Sequence, residues 1–594
     1  MRIAKLAPVL VGLLLCMSSV GARADVSFDV AGGDKALRKA LEGNSALAVI
    51  DNVGAVAPQD LVATAQADYR KLAATLYERG YFGPVISITL DGHEASDISP
   101  FGRASRYETI RVSVDAGRAY RLGTVSIAPL ASGTELPEGF ARGAEASTLI
   151  LRKSAETAVE AWRKAGHPKA NISRQSIRAN AATAVLTADM VVAPGAQARF
   201  GSLLPQGQSR MRSDRIAAIA GLPRGSEYHP EIVDRVAERL RDSGGFASVA
   251  LTEGEVAADG TMDVTAALVE APLRRFGFGA ELTSDQGLGL SGFWLHRNLF
   301  GGAERLRFDA EITGIGGNSG GVDADFGVTY ARPATFTPDT NLQIAAHVLR
   351  LDEPSYLQES AELSFGLEHR FSKVKTGSVF AEISRSKITD NFSTRHVTLL
   401  SFPMAMIWDK RDDRLDARQG WYLETSAQPF VIYADSGGVR ATVDARAYRA
   451  LGSGGKTRVA GRLQLGTVTG GSIGSLPPDW LFFSGGPDTV RGQSYQSLGA
   501  MQGAVATGGR SFAGASLELR HDINSTWGAA VFADAGLISA GAAWSGSSDW
   551  HAGMGIGARY QTPIGAIRVD VATPVRSPSA SRNLAFYIGI GQAF

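Results

Sequence analysis

The feature that most limits this chain is a change of period near Pro272. From Arg274 to Phe594 no helical repeat is visible, and segments of about ten residues alternate apolar and polar between Gly, Asp, Asn, Ser and Pro. In Arg275–Leu282, Phe276, Phe278, Ala280 and Leu282 fall on one face and Arg275, Gly277, Gly279 and Glu281 on the other. Ala515–Arg520 and Ile567–Val571 alternate in the same way. Aliphatics outside and charge inside suit a barrel between lipid and a wet lumen, since a closed sheet leaves no backbone group unpaired in hydrocarbon. A soluble sandwich also alternates, but the 323 residues from Pro272 to Phe594 are far more than one sandwich needs. At ~20 residues per strand and turn they make about sixteen strands. Seven of the eight tryptophans lie here, which suits interfacial girdles. The segment Phe586–Phe594 is itself strand-like.

Residues 1–24 read as an export signal: Arg2 and Lys5, an apolar run Leu6–Met17, then Ala22-Arg23-Ala24 as cleavage site. The run is too short to span ~30 Å of hydrocarbon. A lipoprotein signal ending at Cys16 competes poorly, because Leu15 is bulky where such signals take a small residue. Cleavage would remove the only cysteine, leaving no thiolate site or disulfide. No later stretch reaches ~18 apolar residues, so membrane passage falls to strands. A net charge of +1 gives no support to a nucleic-acid binder.

Between residues 25 and 271 helices and strands alternate. Helical patterns at Asp60–Arg79, Ser154–Ala165 and Glu231–Asp242 end at Gly80, Gly166 and Gly244-Gly245, and each is followed by strand-like segments. These glycines lie about 80 residues apart, and Gly117-Arg-Ala-Tyr-Arg-Leu-Gly123 is echoed by Gly195-Ala-Gln-Ala-Arg-Phe-Gly201. Repetition at that period indicates an array of small α/β modules, at 25–116, 117–194 and 195–271. The expected fold is mixed: three α/β modules, then a transmembrane antiparallel β-barrel of about 16 strands over 272–594.

Catalytic signals are thin. Gly470-Gly471-Ser472-Ile473-Gly474 has the letters of a nucleophile elbow but no following helix, so the bland reading is a hairpin loop. The nine histidines show no ligand spacing, and there is no P-loop. No cofactor, no metal and no enzymatic role is expected. Glu518, Asp534 and Asp570 are ordinary for a wetted inner face, and would matter if they shared a cation that a loop brought inside.

Gly485-Gly-Pro-Asp-Thr-Val-Arg-Gly-Gln-Ser-Tyr495 sets one cation, Arg491, in a permissive loop. Val490-Arg491-Gly492, the strand motif Phe532-Ala533-Asp534-Ala535-Gly536, the signal and the repeats together resemble the BamA superfamily of outer-membrane assembly factors with periplasmic POTRA modules. Three repeats, His296–Gly302, Tyr495–Gly499 and Tyr560–Asp570 are most similar to the TamA branch of that superfamily. The resemblance implies that Arg491 pairs with Glu518 and Asp534 inside the barrel, and departs from the family at Gln493, where an aromatic is usual. It implies insertion or translocation of β-barrel and autotransporter proteins through a seam between first and last strands. Glycine weakens strands, which points to Gly277, Gly279, Gly589 and Gly591 and to the terminal Phe594 as seam residues. The implied partners are an inner-membrane-anchored TamB-like protein, nascent outer-membrane proteins and outer-membrane lipid, with the modules in the periplasm. The rival readings are a two-partner-secretion exporter, for which two modules are usual, and a passive channel, which needs no module array.

Overall fold

The computed structural model describes residues 25–594 except 49, 51–55, 100–106, 453, 504, 563–564, 578–583 and 591–594. The expected signal (1–24) and the seam residues Gly591 and Phe594 lie outside the described residues. The chain forms two compact units: Met1–Gly201 with Arg224–Glu231 and Glu255–Met262, and Ser202–Pro223 with Ile232–Gly254 and Asp263–Phe594.

In the first unit two α/β modules follow one plan. Strand Asp25–Ala31 pairs in parallel with Thr109–Asp115, whose other side takes Val85–Leu90. Strand Arg121–Ala128 pairs in parallel with Val185–Ala193, whose other side takes Asn171–Asn180 antiparallel. In both, the last strand is central, the middle strand lies outside it, and helices make the crossover between parallel neighbours. The long helix Pro58–Glu78 starts on a proline whose missing N–H costs nothing there. It buries Leu61, Ala65, Leu72 and Leu76 against Ile88, Val112 and Val114. The second module's helix, Thr148–Lys164, begins two turns before the sequence pattern suggests. Ser147 caps it by accepting the Ile150 N–H, an earlier start than the apolar spacing alone marks. Helix Lys35–Asn44, capped by Asp34, has too short a pattern to be read from the sequence.

A third module, most of it in the second unit, has helices Ser213–Ala220 and Pro230–Asp242 over a sheet in the order Arg199–Gln206, Thr261–Glu270, Phe246–Val256. The apolar core of this module takes in Ala303 and Ala334 from two barrel turns. Arg239 clasps Asp339 through two hydrogen bonds (2.8 and 2.5 Å), and Arg215 Nη2 donates to the Pro333 carbonyl (2.6 Å). The turn within His296–Gly302 is built for this contact. Glu304 accepts the Phe300 and Gly302 N–H groups, and the Gly301 carbonyl accepts the Arg212 N–H. The third module is thereby fixed to the barrel's module-side rim.

Seventeen antiparallel segments close into the barrel. Thr394–Ser401 and Met404–Asp409 lie end to end between the same neighbours, so the wall has sixteen strands. The interruption falls at Phe402-Pro403, where proline has no N–H for the ladder. Several strands exceed the expected ten residues, up to 17 in Tyr356–Ser372. That is longer than the ~9–11 residues that cross hydrocarbon, so the wall projects beyond it. Phe276, Phe278 and Leu282 face outward and are exposed. Trp294, Trp408, Trp421 and Trp527 stand near strand ends at the module-side rim, and Trp550 near a strand end at the other. Trp480 departs from the girdle expectation: it is buried in the lumen against Phe430.

Candidate functional site

The lumen is not simply water-filled. After strand Thr457–Gly470 the chain turns inward and runs to Ser511 before re-entering the wall. Leu476, Trp480, Leu481, Phe482 and Leu498 of this segment pack against Phe430, Phe512 and Ile538 of the wall. This apolar plug holds the base of the loop inside the barrel. Its period is irregular, so the sequence shows only a glycine-rich loop.

The tip of the loop carries Arg491, only 2% exposed. Its Nε and Nη2 donate to Asp534 Oδ2 and Oδ1 (2.8 and 3.0 Å), and its own backbone N–H also reaches Oδ2 (3.2 Å). Nη1 donates to Glu518 Oε2 and Asp570 Oδ2, both at 3.3 Å. The guanidinium carbon lies over the Phe532 ring, 3.4 Å from its centre, so one side chain of the strand motif makes a cation–π contact and Asp534 makes the ion pair. Two further arginines complete the cluster. Arg520 Nε donates to Glu518 Oε1 (3.1 Å), and Arg559 bridges Glu518 Oε1 (2.9 Å) and Asp570 Oδ1. Three cations thus meet three carboxylates and the charges cancel, which makes so dry a cluster tolerable.

Backbone without side chains gives the loop its seat. Gly553, Gly555 and Gly557 of strand Ser548–Thr562 face the lumen in period two. A Cβ on them would strike the Arg491 carbonyl, the Phe532 ring and the Asp570–Arg559 pair, respectively. On Gly536 a Cβ would meet Ser484 and Val490. Gly492 has φ +90°, and a Cβ there would lie 2.8 Å from the Thr573 backbone, so only glycine fits.

Gln493 is buried, and its Nε2 donates to the carbonyls of Ala552 and Arg576, both at 2.7 Å. The ladder between these strands shifts register at Ala552/Gly553, and the amide bonds carbonyls at that irregularity. Tyr495 Oη donates to Glu353 (2.9 Å) on another part of the wall.

The same loop tip touches both sides of the barrel's closure. Strand Arg274–Thr283 meets Ala585–Ile590 through Leu282↔Ile588 and Thr283↔Tyr587 among the described residues. Its other side pairs with Gly287–Arg297 over ten positions. The Gly492 N–H donates to Tyr587 Oη (3.0 Å) on the last strand. The Tyr495 N–H donates to Asp285 (2.8 Å), just after the first. Arg568 of the penultimate strand reaches past the last one to Glu281 of the first (2.9 Å), over Gly589, whose Cβ would lie 3.3–3.4 Å from both side chains. Gly277 likewise leaves room for the Phe293 ring, which lies beneath the Arg307 guanidinium. Gly279 clears Ser291.

Arg491, Glu518 and Asp534, the residues that the resemblance pairs, lie together, and Phe532 of the strand motif lies against the guanidinium. Arg520 and Arg559 were not anticipated, although Arg520 sits two residues from Glu518 on the same strand face. Asp570 was read as a lumen acid but not as a partner of Arg491. Ser472 lies in a turn where its hydroxyl meets Ser475 (3.0 Å). No group of His, Cys, Asp and Glu suited to a metal is found among the described residues.

The Omp85 superfamily domain matches residues 298–594. The chain is similar in structure to BamA from Haemophilus ducreyi lacking POTRA domains 1–3 (TM-score 0.62, 15% identity, 80% of this chain and 100% of that one). It is also similar to CdiB from Acinetobacter baumannii (TM-score 0.52, 14% identity, 80% and 90%).

Proposed function

The chain belongs to the Omp85 superfamily of outer-membrane β-barrel proteins, and on that premise we propose that it inserts or translocates β-barrel and autotransporter proteins. In this reading the first and last strands part, and the freed edges template an incoming strand. The loop tip is the latch that keeps the seam shut between events. The observation that carries this reading is how the closure is held: among the described residues the first and last strands meet at Leu282↔Ile588 and Thr283↔Tyr587, and a loop inside the barrel is bonded to both sides of that junction. The work is done by folding and binding energy, with no bond-making residue. The modules lie in the periplasm, where a TamB-like inner-membrane-anchored partner and nascent substrates reach them by strand addition. What supports that part is Asn171–Asn180, a ten-residue strand at the edge of its sheet, beside a groove of about 490 Å³ lined with Leu151, Ile172 and Ile177.

Leu282→Cys with Ile588→Cys tests the seam, since these residues lie directly opposite across it. Oxidised, the variant should keep its heat-modifiable gel mobility and fail to restore β-barrel proteins and autotransporters in cells depleted of the wild type. Reduction should restore them. Full activity with the disulfide formed would rule out strand parting as the mechanism.

A further inference from the structure

On the outer wall, near the strand break at Phe402-Pro403, is a concavity of about 710 Å³ close to the module-side rim. Its size lies within the range of small-molecule sites. Gly377, Thr425 and Ala427 form its floor, and Leu367, Phe371 and Met404 are among the larger side chains around it. The register puts these residues on the lipid side. Gly377 pairs with Met406, which pairs in turn with Thr425, while Met404 pairs with Val379 and Ala427, and Val379 and Met404 are exposed outward. Here Gly377, Thr425 and Ala427, small residues on adjacent segments, leave a trough between larger neighbours.

The row Val379–Gly377–Lys375 continues from the trough to the rim, because residues two apart share a face. The Lys375 ammonium stands 5.1 Å over the Phe371 ring and 5.5 Å over the Trp408 ring. Among the described residues it has no carboxylate partner, whereas Arg370 and Lys373 beside it are paired with Asp242 and Glu238. An apolar trough on the hydrocarbon side that ends at an unpaired cation flanked by aromatic rings matches one kind of ligand. It has acyl chains and, one headgroup away, an anionic phosphate.

We propose that this trough is a binding site for a single glycerophospholipid, with an acyl chain over Gly377 and Ala427 and its phosphate on Lys375. The third module is fastened at this same rim by Arg370–Asp242 and Lys373–Glu238. A lipid bound here therefore lies against the rim to which that module is fastened.

The test is native mass spectrometry of the full-length protein in detergent, after delipidation and incubation with phosphatidylglycerol or with diacylglycerol. Wild type should retain one phosphatidylglycerol. The trough-filling pair Gly377→Leu/Ala427→Leu should lower that retention at least tenfold, while Ala533→Leu, an outer-wall control, should leave it unchanged. Lys375→Gln should lower retention of phosphatidylglycerol severalfold without lowering that of diacylglycerol. Heat-modifiable mobility shows which variants are folded; should the filled pair not fold, the Lys375→Gln comparison decides alone. Equal retention by the filled pair and Ala533→Leu would overturn the site. Wild-type retention of diacylglycerol equal to that of phosphatidylglycerol would overturn the role of Lys375.

Discussion

Arg491→Met keeps the length and apolar stem of the side chain but removes the one cation that the loop brings to the wall. The cluster then changes from three cations against three carboxylates to two against three, in a place where Glu518, Asp534 and Asp570 are at most 3% exposed. Breaking a buried pair by removing one partner costs about 3–5 kcal/mol. The apolar plug sets the scale of the response. Its five loop residues, at ~1.5–3 kcal/mol each, hold the base of the loop more firmly than the latch holds the tip. The tip should therefore lift while the base stays. Val490 is 0% exposed and Leu481 is 5% exposed, so a cysteine at either position reports release by its labelling rate. The sequence has a single cysteine, Cys16, and Cys16→Ser in every variant leaves the background clean. In Arg491→Met, labelling of Val490→Cys should rise by roughly two to three and a half orders of magnitude. Labelling of Leu481→Cys should change little. Adding Asp534→Asn restores neutrality and should return part of the protection, measured as a coupling in a double-mutant cycle. Unchanged labelling at position 490, or a double variant looser than the sum of its singles, would refute charge balance as what holds the tip.

Gln493→Leu removes two part-buried hydrogen bonds from a buried amide, at about 1–3 kcal/mol in all, so Val490→Cys labelling should rise ~5- to 150-fold; no rise would mean that packing alone seats the loop. Glu281→Gln breaks the tie across the last strand, but Glu281 is 45% exposed and such pairs contribute under ~1 kcal/mol. Cross-linking of Leu282→Cys to Ile588→Cys should accordingly change less than about fivefold, and less still at high salt. Glu270 is buried, which alone would raise its pKa, yet N–H groups of Arg210, Met211 and Ser209 and the Arg210 guanidinium hold it at about 2. Its folded value lies below the unfolded one, so its stabilisation is complete above pH ~4.5 and is lost as pH falls towards 2. Hydrogen-exchange protection of the Arg210 and Met211 amides should drop across that window, and in Glu270→Gln the drop should vanish.

Period-two alternation exposed the barrel because each inward residue of a strand is separated from the next by a lipid-facing one, a rule local enough to read along a line. The Arg491–Asp534 pair was legible only through motifs, since the two lie 43 positions apart and nothing in their spacing brings them together. The cluster's remaining arginines were partly within reach. Arg520 shares a face with Glu518, whereas Arg559 joins only after the strands around it take their register. The glycine track at Gly553, Gly555 and Gly557 is plain in the sequence, yet it looks like strand weakness until the loop that lies on it is placed. Ser147 and Asp34 show the same limit at smaller scale, for a cap moves a helix start that apolar spacing cannot mark.

Latch and seam are thermodynamically one object. Gly492 bonds the last strand through Tyr587, and Tyr495 bonds Asp285 beside the first, three residues along the same loop tip. Separating those strands by more than a hydrogen bond's reach must break at least one of the two bonds or pull the tip off its seat. The tip is held by Arg491 and Gln493 to strands that do not move with the first strand, namely those bearing Asp534, Ala552 and Arg576. The seated loop therefore stabilises the closed seam by a coupling free energy that those links transmit, and by reciprocity a strand that wedges the seam open loosens the loop by the same coupling. A cluster deep in the wall can thus govern an edge it does not touch. Arg491→Met should speed labelling of Thr283→Cys, which is buried at the seam opposite Tyr587, as well as Val490→Cys labelling at the tip, by factors that fall together when Asp534→Asn is added.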